Sequence, residues 1–352
     1  MAAHLCWIAL RRALLGSAAI VSFCFPNLGN ADAPSLVSQN TETAEILLIS
    51  TRGIGTKCDP VELNRGLDCR RLQLDAAGKA AWTSYDWHHL LEPQASARRT
   101  VIYVHGNRVA IGDDAIEGMA VYESLVSLPA GQRPLRYIIW SWPSSQIPGP
   151  IKDYQVKAVR TNPVAWQLAW FLDQLPSEMQ LSLVGYSYGA RAVSGTMHLL
   201  GGGTLDGLKL ESRRHPQRTP ARVAMMAAAF DADWLLPGEV HQRAISQMQH
   251  LVLVTNRLDP AMRFFKLSTR QSRVDALGLA GIPHSERLGK VQDRIDRIDV
   301  TAGVGRSHVL YDYLADEPKM KQMWQELLDA TPPNSQSDPL PAYANLRPAS
   351  LR

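Results

Sequence analysis

The chain has 352 residues, of which 45% are hydrophobic and 20% charged, and its formal net charge is +4 at pH 7. This composition excludes a fibrous or disordered protein and allows one large α/β domain or two small ones. Because the basic residues are scattered rather than arranged in a stripe, nucleic acid is not expected as a partner.

The N-terminal residues 1–31 have the pattern of a bacterial-type secretory signal peptide. Arg11 and Arg12 precede an apolar stretch over 13–25, and small residues follow, with cleavage expected after Ala31. The apolar stretch is short for a bilayer span. The alternative is an uncleaved segment that lies against a membrane. We therefore expect a periplasmic or secreted protein, with membrane anchoring only if this segment is retained.

In an oxidising compartment, the cysteines of an exported protein can form disulfides. Cys6 and Cys24 fall within the signal peptide, which leaves Cys58 and Cys69 as an even pair in the mature chain. We predict that these two form a disulfide, which would stabilise the fold by about 2–3 kcal/mol. Two free buried thiols are the alternative. Neither cysteine lies near a histidine cluster, so no metal site is expected.

After a polar spacer over 32–43, the pattern predicts one domain over 44–330, followed by a Pro- and Ser-rich tail over 331–352 that is predicted to be disordered. Short apolar and β-branched runs predict strands at 44–51, 100–104, 135–140, 181–184, 222–230, 250–255 and 295–302. Helical spacing predicts helices near 116–128, 151–174, 190–200 and 310–327, with Asn162-Pro163 as a kink or break. This alternation predicts an α/β fold with a mostly parallel central sheet flanked by helices.

Two stretches are less regular. Trp82, Tyr85 and Trp87 suggest further strands between 70 and 91. The loop over 201–221 carries a basic run, including Arg213 and Arg218, that we interpret as a solvated surface.

The sequence Gly185-Tyr186-Ser187-Tyr188-Gly189 stands between a predicted strand and a predicted helix. Gly-x-Ser-x-Gly in this context is typical of a nucleophile elbow, a turn so tight that residues two positions from the serine must lack bulk. Such a turn should expose Ser187 to substrate at the positive end of the following helix. A structural turn with a bystander serine is the alternative.

A serine nucleophile needs a base and an acid, and in an open α/β sheet both should follow the carboxyl ends of strands. His308 is the only histidine after the final predicted strand. Asp259 follows the strand over 250–255, and Asp231 follows the strand over 222–230. We favour Asp259 as the acid, with Asp231 as the alternative, and expect the other aspartate to cap a helix.

An oxyanion hole should use backbone N–H groups. One should come from Tyr188, the residue after the nucleophile, and the second from Asn107, in the turn after the strand that leads to His105 and Gly106. We expect His105 to brace this turn rather than to act as a base.

Five motifs together resemble the α/β-hydrolase superfamily and, within it, a bacterial serine-esterase-like branch. They are Tyr-Val-His-Gly-Asn at 103–107, Trp-Ser-Trp-Pro-Ser at 140–144, Val-Gly-Tyr-Ser-Tyr-Gly-Ala-Arg at 184–191, Asn-Arg-Leu-Asp at 256–259 and Ser-His-Val-Leu-Tyr at 307–311. The resemblance covers 44–328 and implies a Ser187, Asp259 and His308 triad without a cofactor. Asn107-Arg108 departs from the family pattern, where an aromatic or small apolar residue is more usual.

These observations predict an exported serine hydrolase, a carboxylic-ester hydrolase that acts on a small ester or other acyl substrate through an acyl-enzyme. One alternative is a catalytically idle binding module of the cell envelope that keeps the same fold. The other is an amidase or peptidase. The sequence favours no particular acyl or alcohol group, because specificity depends on the irregular stretches over 201–221 and 261–294.

Overall fold

The computed structural model describes residues 44–328, except 75–78, 94, 96–97, 128–134, 212 and 266–273. The predicted signal peptide (1–31), spacer (32–43) and tail (331–352) lie outside the described residues. Within the described ranges, no helix is both long enough and apolar enough to cross a membrane.

Among the described residues, nine strands form one mixed sheet. They are β1 (Ala44–Ser50), β2 (Asp68–Leu74), β3 (Ala80–Ser84), β4 (Arg99–Val104), β5 (Leu135–Ser141), β6 (Leu181–Tyr186), β7 (Ala221–Met226), β8 (Met248–Thr255) and β9 (Ile295–Asp299). Their spatial order is β3-β2-β1-β5-β4-β6-β7-β8-β9. All neighbours from β1 to β9 are parallel, and only β2 runs antiparallel to both β1 and β3. The predicted α/β fold with a mostly parallel sheet is confirmed.

Helices follow most of the parallel strands. They are α1 (Pro60–Gly66), α2 (Asp113–Val126), α3 (Pro150–Gln174), α4 (Tyr188–Leu200), α5 (Pro260–Arg263), α6 (Leu277–Ala280), α7 (Thr301–Val304), α8 (Leu310–Leu314) and α9 (Glu317–Leu328). Short 3₁₀ segments lie at Trp87–Leu91, Ala244–Gln247 and Ser285–Arg294.

Both faces of the sheet are buried, which explains why the central strands are almost continuously apolar. Along β4, Ile102 and Val104 point into the core shared with α3 and α4, whereas Val101 and Tyr103 point into the core shared with α2, α8 and α9. This alternation follows from the two-residue period of a strand. The parallel strands therefore end together at one edge, where the predicted site residues lie.

Several predicted boundaries were wrong. Strand β7 ends at Met226 rather than Phe230, because Ala227 has φ +46°, outside the extended region. Helix α3 continues through Pro163 without a break. Trp87 lies in a 3₁₀ segment rather than in a strand.

The basic loop is also less solvated than predicted. Arg218 is only 7% exposed, and its guanidinium donates to the carbonyl oxygens of Leu175 and Pro176 at the end of α3. Burial lowers the pKa of Arg218 to about 10. This arginine therefore fastens the loop to the domain.

The predicted disulfide is not formed, because Cys58 and Cys69 are free thiols. Cys69 lies in β2 opposite Ile49 and is buried in the core, whereas Cys58 lies before α1, with its Sγ 4.0 Å from the carbonyl oxygen of Pro163 in α3. Burial raises the pKa of Cys58 to about 11 and that of Cys69 to about 12. The alternative of two free thiols describes the structure, with Cys69 buried and Cys58 partly exposed.

Candidate active site

Ser187 lies between β6 and α4, in a backbone conformation that is rare for a residue with a side chain. Its φ is +53° and its ψ is −116°. The amide of Ser187 donates to the carbonyl oxygen of Met226 on the neighbouring strand, at 2.9 Å. A conformation of this kind costs about 1–3 kcal/mol and persists only where the surroundings impose it. The sharp strand-to-helix turn expected of a nucleophile elbow is therefore present.

The flanking glycines explain how the turn fits. A Cβ atom at Gly189 would lie 2.0 Å from the carbonyl oxygen of Val104, and one at Gly185 would lie 2.5 Å from the Cα of Ala190. Neither distance can be relieved by a side-chain rotation, because both neighbours are backbone atoms. Ser187 itself is only 6% exposed, so it is more enclosed than the motif predicts.

His308 lies in the loop between α7 and α8, beside Ser187. Its Nε2 is 3.1 Å from Ser187 Oγ, and 25% of its side chain is exposed. Tyr186 holds the imidazole from one side, since its ring stacks on it at 5.4 Å and its hydroxyl donates to the carbonyl oxygen of His308. Asn256 Nδ2 donates to the carbonyl oxygens of Gly305 and Ser307, which fixes the preceding loop.

Asp259 faces the other nitrogen of the imidazole. Its Oδ2 lies 2.7 Å from His308 Nδ1, and its side chain is fully buried. Because a carboxylate only accepts hydrogen bonds, Nδ1 carries a proton and Nε2 is left to accept from the Ser187 hydroxyl. Asp259 also caps α5, since Oδ1 accepts from the amides of Ala261 and Met262. One aspartate therefore fulfils both of the roles that the sequence divided between two.

Asp231, the alternative acid, lies elsewhere. It forms an isolated β-bridge with Ala276 and is 8% exposed. Its charge acts on Arg191 of α4. The structure thus brings Ser187, His308 and Asp259 together and places Asp231 outside that chain of contacts.

The turn after β4 passes close to Ser187. A Cβ atom at Gly106 would lie 3.4 Å from Ser187 Cβ, so the backbone leading into Asn107 borders Ser187. The backbone N–H groups of Tyr188 and Asn107 have no acceptor among the described residues. For Tyr188 this follows from its place in the first turn of α4. Both predicted oxyanion donors are thus available for a ligand.

His105 is fully buried beneath this turn. Its Nδ1 lies 2.9 Å from the Gly106 carbonyl oxygen, and its Nε2 accepts from the Trp142 amide at 3.2 Å. Burial lowers the pKa of His105 to about 4, so the ring is neutral near pH 7. His105 therefore contacts the turn from below and has no free nitrogen for proton transfer.

A buried charge cluster secures the unusual Asn107-Arg108 pair. Asp153, at the start of α3, accepts from Asn107 Nδ2 at 3.0 Å, from Arg108 Nε at 2.8 Å and from Lys157 Nζ at 3.0 Å. Burial favours the neutral carboxyl, but the hydrogen bonds from Arg108 and Lys157 outweigh it and lower the pKa of Asp153. Because Asp153 and Lys157 are both fully buried, the cluster ties the turn to α3.

Two other groups contain residues that are often catalytic or metal-binding. Ser194 and His241 form a second serine–histidine contact at 2.8 Å, but both are buried within the domain. His250, Asp296 and Glu326 could together hold a metal ion. They lie near the amino ends of β8 and β9, at the opposite edge of the sheet from Ser187, and His250 Nε2 already contacts Asp296 Oδ2 at 2.9 Å.

Sequence reasoning missed three residues that surround Ser187, His308 and Asp259: Tyr186, Asn256 and Tyr313. Tyr313 donates to Asp259 Oδ2 at 2.7 Å. Tyr186 and Asn256 lie inside the motifs at 184–191 and 256–259, so their place in these motifs could have indicated that they lie near the site. Tyr313 has no comparable signal, because its contact depends on how α8 packs on the sheet.

No protein-family model and no curated protein sequence matches the chain. Solved structures with a similar fold include the catalytic core of acetyl xylan esterase from Trichoderma reesei, with 13% identity over 66% of this chain and 97% of that one, at a TM-score of 0.37. Acyl-protein thioesterase 2 from Zea mays shares 14% identity over 65% and 94% of the two chains, at a TM-score of 0.34. Tomato methylketone synthase I shares 14% identity over 66% and 96%, at a TM-score of 0.29.

Proposed function

We propose that this chain, which has the α/β-hydrolase fold, is an exported serine hydrolase that cleaves carboxylic esters through an acyl-enzyme. The observation that supports the proposal best is the continuous contact from Ser187 Oγ to His308 Nε2 at 3.1 Å and from His308 Nδ1 to Asp259 Oδ2 at 2.7 Å. The three residues follow β6, β8 and β9, in the chain order serine, acid, histidine that is usual for this fold.

In the proposed reaction, Ser187 Oγ attacks the ester carbonyl carbon while His308 Nε2 accepts the hydroxyl proton. His308 then donates this proton to the leaving alcohol, and a water molecule, activated by the same nitrogen, releases the acid and regenerates Ser187. Asp259 holds the imidazole in position and stabilises its charged form. The histidine thus serves as base and then as acid in each half of the cycle.

The negative oxygen of each tetrahedral intermediate needs donors that are already in place. The N–H groups of Tyr188 and Asn107 are proposed for this role, supported by the positive end of α4. One such donor contributes about 2.7–4 kcal/mol to transition-state stabilisation in enzymes of this chemistry. The Asp153 cluster supports the second donor, because it fixes the Asn107 side chain and therefore the turn.

A fluorophosphonate probe tests the proposal directly. We expect stoichiometric labelling of Ser187 in the native protein, together with hydrolysis of 4-nitrophenyl esters, and loss of both in Ser187→Ala. Ser194→Ala is the matched control, because it removes the hydroxyl of the other serine–histidine contact on the same helix. Absence of labelling in folded protein would favour the envelope-binding alternative instead.

A panel of matched esters, thioesters and amides then separates an esterase from an amidase or peptidase. Export is tested on the same protein. Periplasmic or extracellular recovery of a chain that begins after Ala31 is the expected result.

A further inference from the structure

Arg191 lies one helical turn after Ser187, on the same face of α4. Positions four residues apart share a face, and helical side chains lean towards the N-terminus of their helix. The Arg191 side chain therefore leans towards the edge of the sheet that carries Ser187. Its guanidinium carbon lies 4.6 Å from the centre of the Trp234 ring, which is partly exposed.

The segment that carries Trp234 is itself part of the site's wall. It leaves β7 at Ala227, and the amide of Ala229 donates to the carbonyl oxygen of Ser187 at 3.3 Å. Trp234 is held further along by a ring contact of 4.7 Å with His241. The tryptophan that stacks on Arg191 therefore belongs to a segment that is hydrogen-bonded to the backbone of Ser187.

The guanidinium of Arg191, a partly buried side chain, lacks a protein partner. It makes no hydrogen bond or ion pair with any described residue, and its Nε is buried without an acceptor. Arg108 offers a contrast at the same site. It stacks on Tyr154 at 4.7 Å, but its Nε donates to Asp153 at 2.8 Å. Leaving such donors unsatisfied is costly, so an acceptor beyond the described residues is implied.

We infer that Arg191, backed by Trp234, binds an anionic group of the substrate, a carboxylate or a phosphate, beside Ser187. The planar guanidinium suits bidentate recognition of either group. The positive end of α4 adds to the attraction. Asp231 is a carboxylate whose charge acts on Arg191, but no ion pair joins the two side chains, so the guanidinium donors stay available to a ligand.

The part of the inference that concerns substrate choice by Arg191 rests on the proposed function. Anion binding by Arg191 can be measured without catalysis. The kinetic arm compares 4-nitrophenyl valerate with 4-nitrophenyl hemiglutarate, which have acyl chains of equal length and differ in a terminal carboxylate. We expect the hemiglutarate-to-valerate ratio of kcat/KM to fall at least about tenfold in Arg191→Met, because a charge-assisted hydrogen bond is lost. Arg191→Lys, which keeps the charge, should retain part of the preference.

The binding arm uses the Ser187→Ala protein and isothermal titration with glutarate, inorganic phosphate and neutral glutaramide. We expect glutarate or phosphate to bind and glutaramide not to bind, and we expect the added Arg191→Met substitution to abolish binding. The stronger of the two anions identifies the preferred group. Arg191→Met keeps the apolar stem on Trp234, and circular dichroism verifies that the variant is folded.

Two results would overturn the inference. One is an unchanged ester ratio together with equal anion binding with and without Arg191. The other is an equal loss of activity on both esters, which would make Arg191 a support for the fold or the oxyanion. If the wild type hydrolyses neither ester and Ser187 is not labelled, the proposed function fails, and the binding arm alone still decides whether Arg191 binds an anion.

Discussion

The hydroxyl of Tyr313 lies 2.7 Å from Asp259 Oδ2, the same oxygen that lies 2.7 Å from His308 Nδ1. Tyr313 is fully buried, and the other carboxylate oxygen already accepts from two amides of α5. With four donors around it, the carboxylate has a single orientation. Tyr313 therefore holds the Asp259 carboxylate in position.

We expect Tyr313→Phe to destabilise the fold by about 1.5–3 kcal/mol, because a hydrogen bond to a charged group is lost. It should also lower kcat about three- to tenfold with little change in KM, since the carboxylate becomes free to rotate away from the imidazole. Urea unfolding and steady-state ester hydrolysis measure the two effects. Tyr311→Phe, at a tyrosine of the same helix that is 49% exposed, is the control and should change neither.

The choice between the two aspartates can be tested with one pair of variants. Asp259→Asn should lower kcat by about 10⁴, because the amide favours the wrong imidazole tautomer. Asp231→Asn should lower it less than about tenfold, since Asp231 lies outside the contacts of His308. If Asp231→Asn proved the more damaging substitution, Asp259 would not be the acid.

The strands could be predicted because the residue composition that identifies each one lies within a short run of sequence. The run over 100–104 is continuously β-branched or aromatic, and only a strand buried on both faces needs that composition. The topology then brings strand ends together, which is why residues as distant as Ser187 and His308 could be grouped from spacing alone.

Contacts that depend on packing could not be predicted in this way. Nothing in the sequence around Tyr313 or Asp153 indicates which oxygen or amide each will meet. The disulfide prediction failed for a related reason, because an even number of cysteines says nothing about the direction of their side chains. Cys69 faces the core from a strand, and Cys58 faces α3.

Removing either member of the buried Asp153–Lys157 pair should lower the free energy of unfolding. We expect Asp153→Asn to cost about 3–5 kcal/mol, because it leaves the Lys157 ammonium buried without a counterion. Combining it with Lys157→Met should restore part of this stability, since the unpaired charge is then removed. Urea unfolding measures both, and Lys152→Met, at an exposed lysine of the same helix, is the control.

The Asp153 variants also test whether the buried charge cluster holds the turn that contains Asn107 in its shape. If the cluster fixes Asn107, fluorophosphonate should label the folded Asp153→Asn, Lys157→Met double variant more slowly than the wild type. This should hold even if the second substitution restores the stability. Labelling at the wild-type rate would show that the turn holds its shape without Asp153.

Buried histidines should make the fold sensitive to acid. Burial lowers the pKa of His105 and His198 to about 4 and lowers the pKa of His241 well below its ordinary value of 6.5. Between pH 6.5 and 4 the unfolded chain therefore binds more protons than the folded one, so stability is full above pH 6.5 and is lost as the pH falls. Each such group contributes at most about 1.4 kcal/mol per pH unit in this window.

Urea unfolding at pH 7.5, 6.5 and 5.5 should show this loss, and His198→Gln should make the dependence on pH shallower by up to about one proton, whatever it does to stability at pH 7.5. His198 is a suitable choice because it is 4% exposed and lies away from the triad, on α4. His215→Gln, at a partly exposed histidine, should leave the slope unchanged. An identical slope in wild type and His198→Gln would mean that His198 is protonated equally in the folded and unfolded chain.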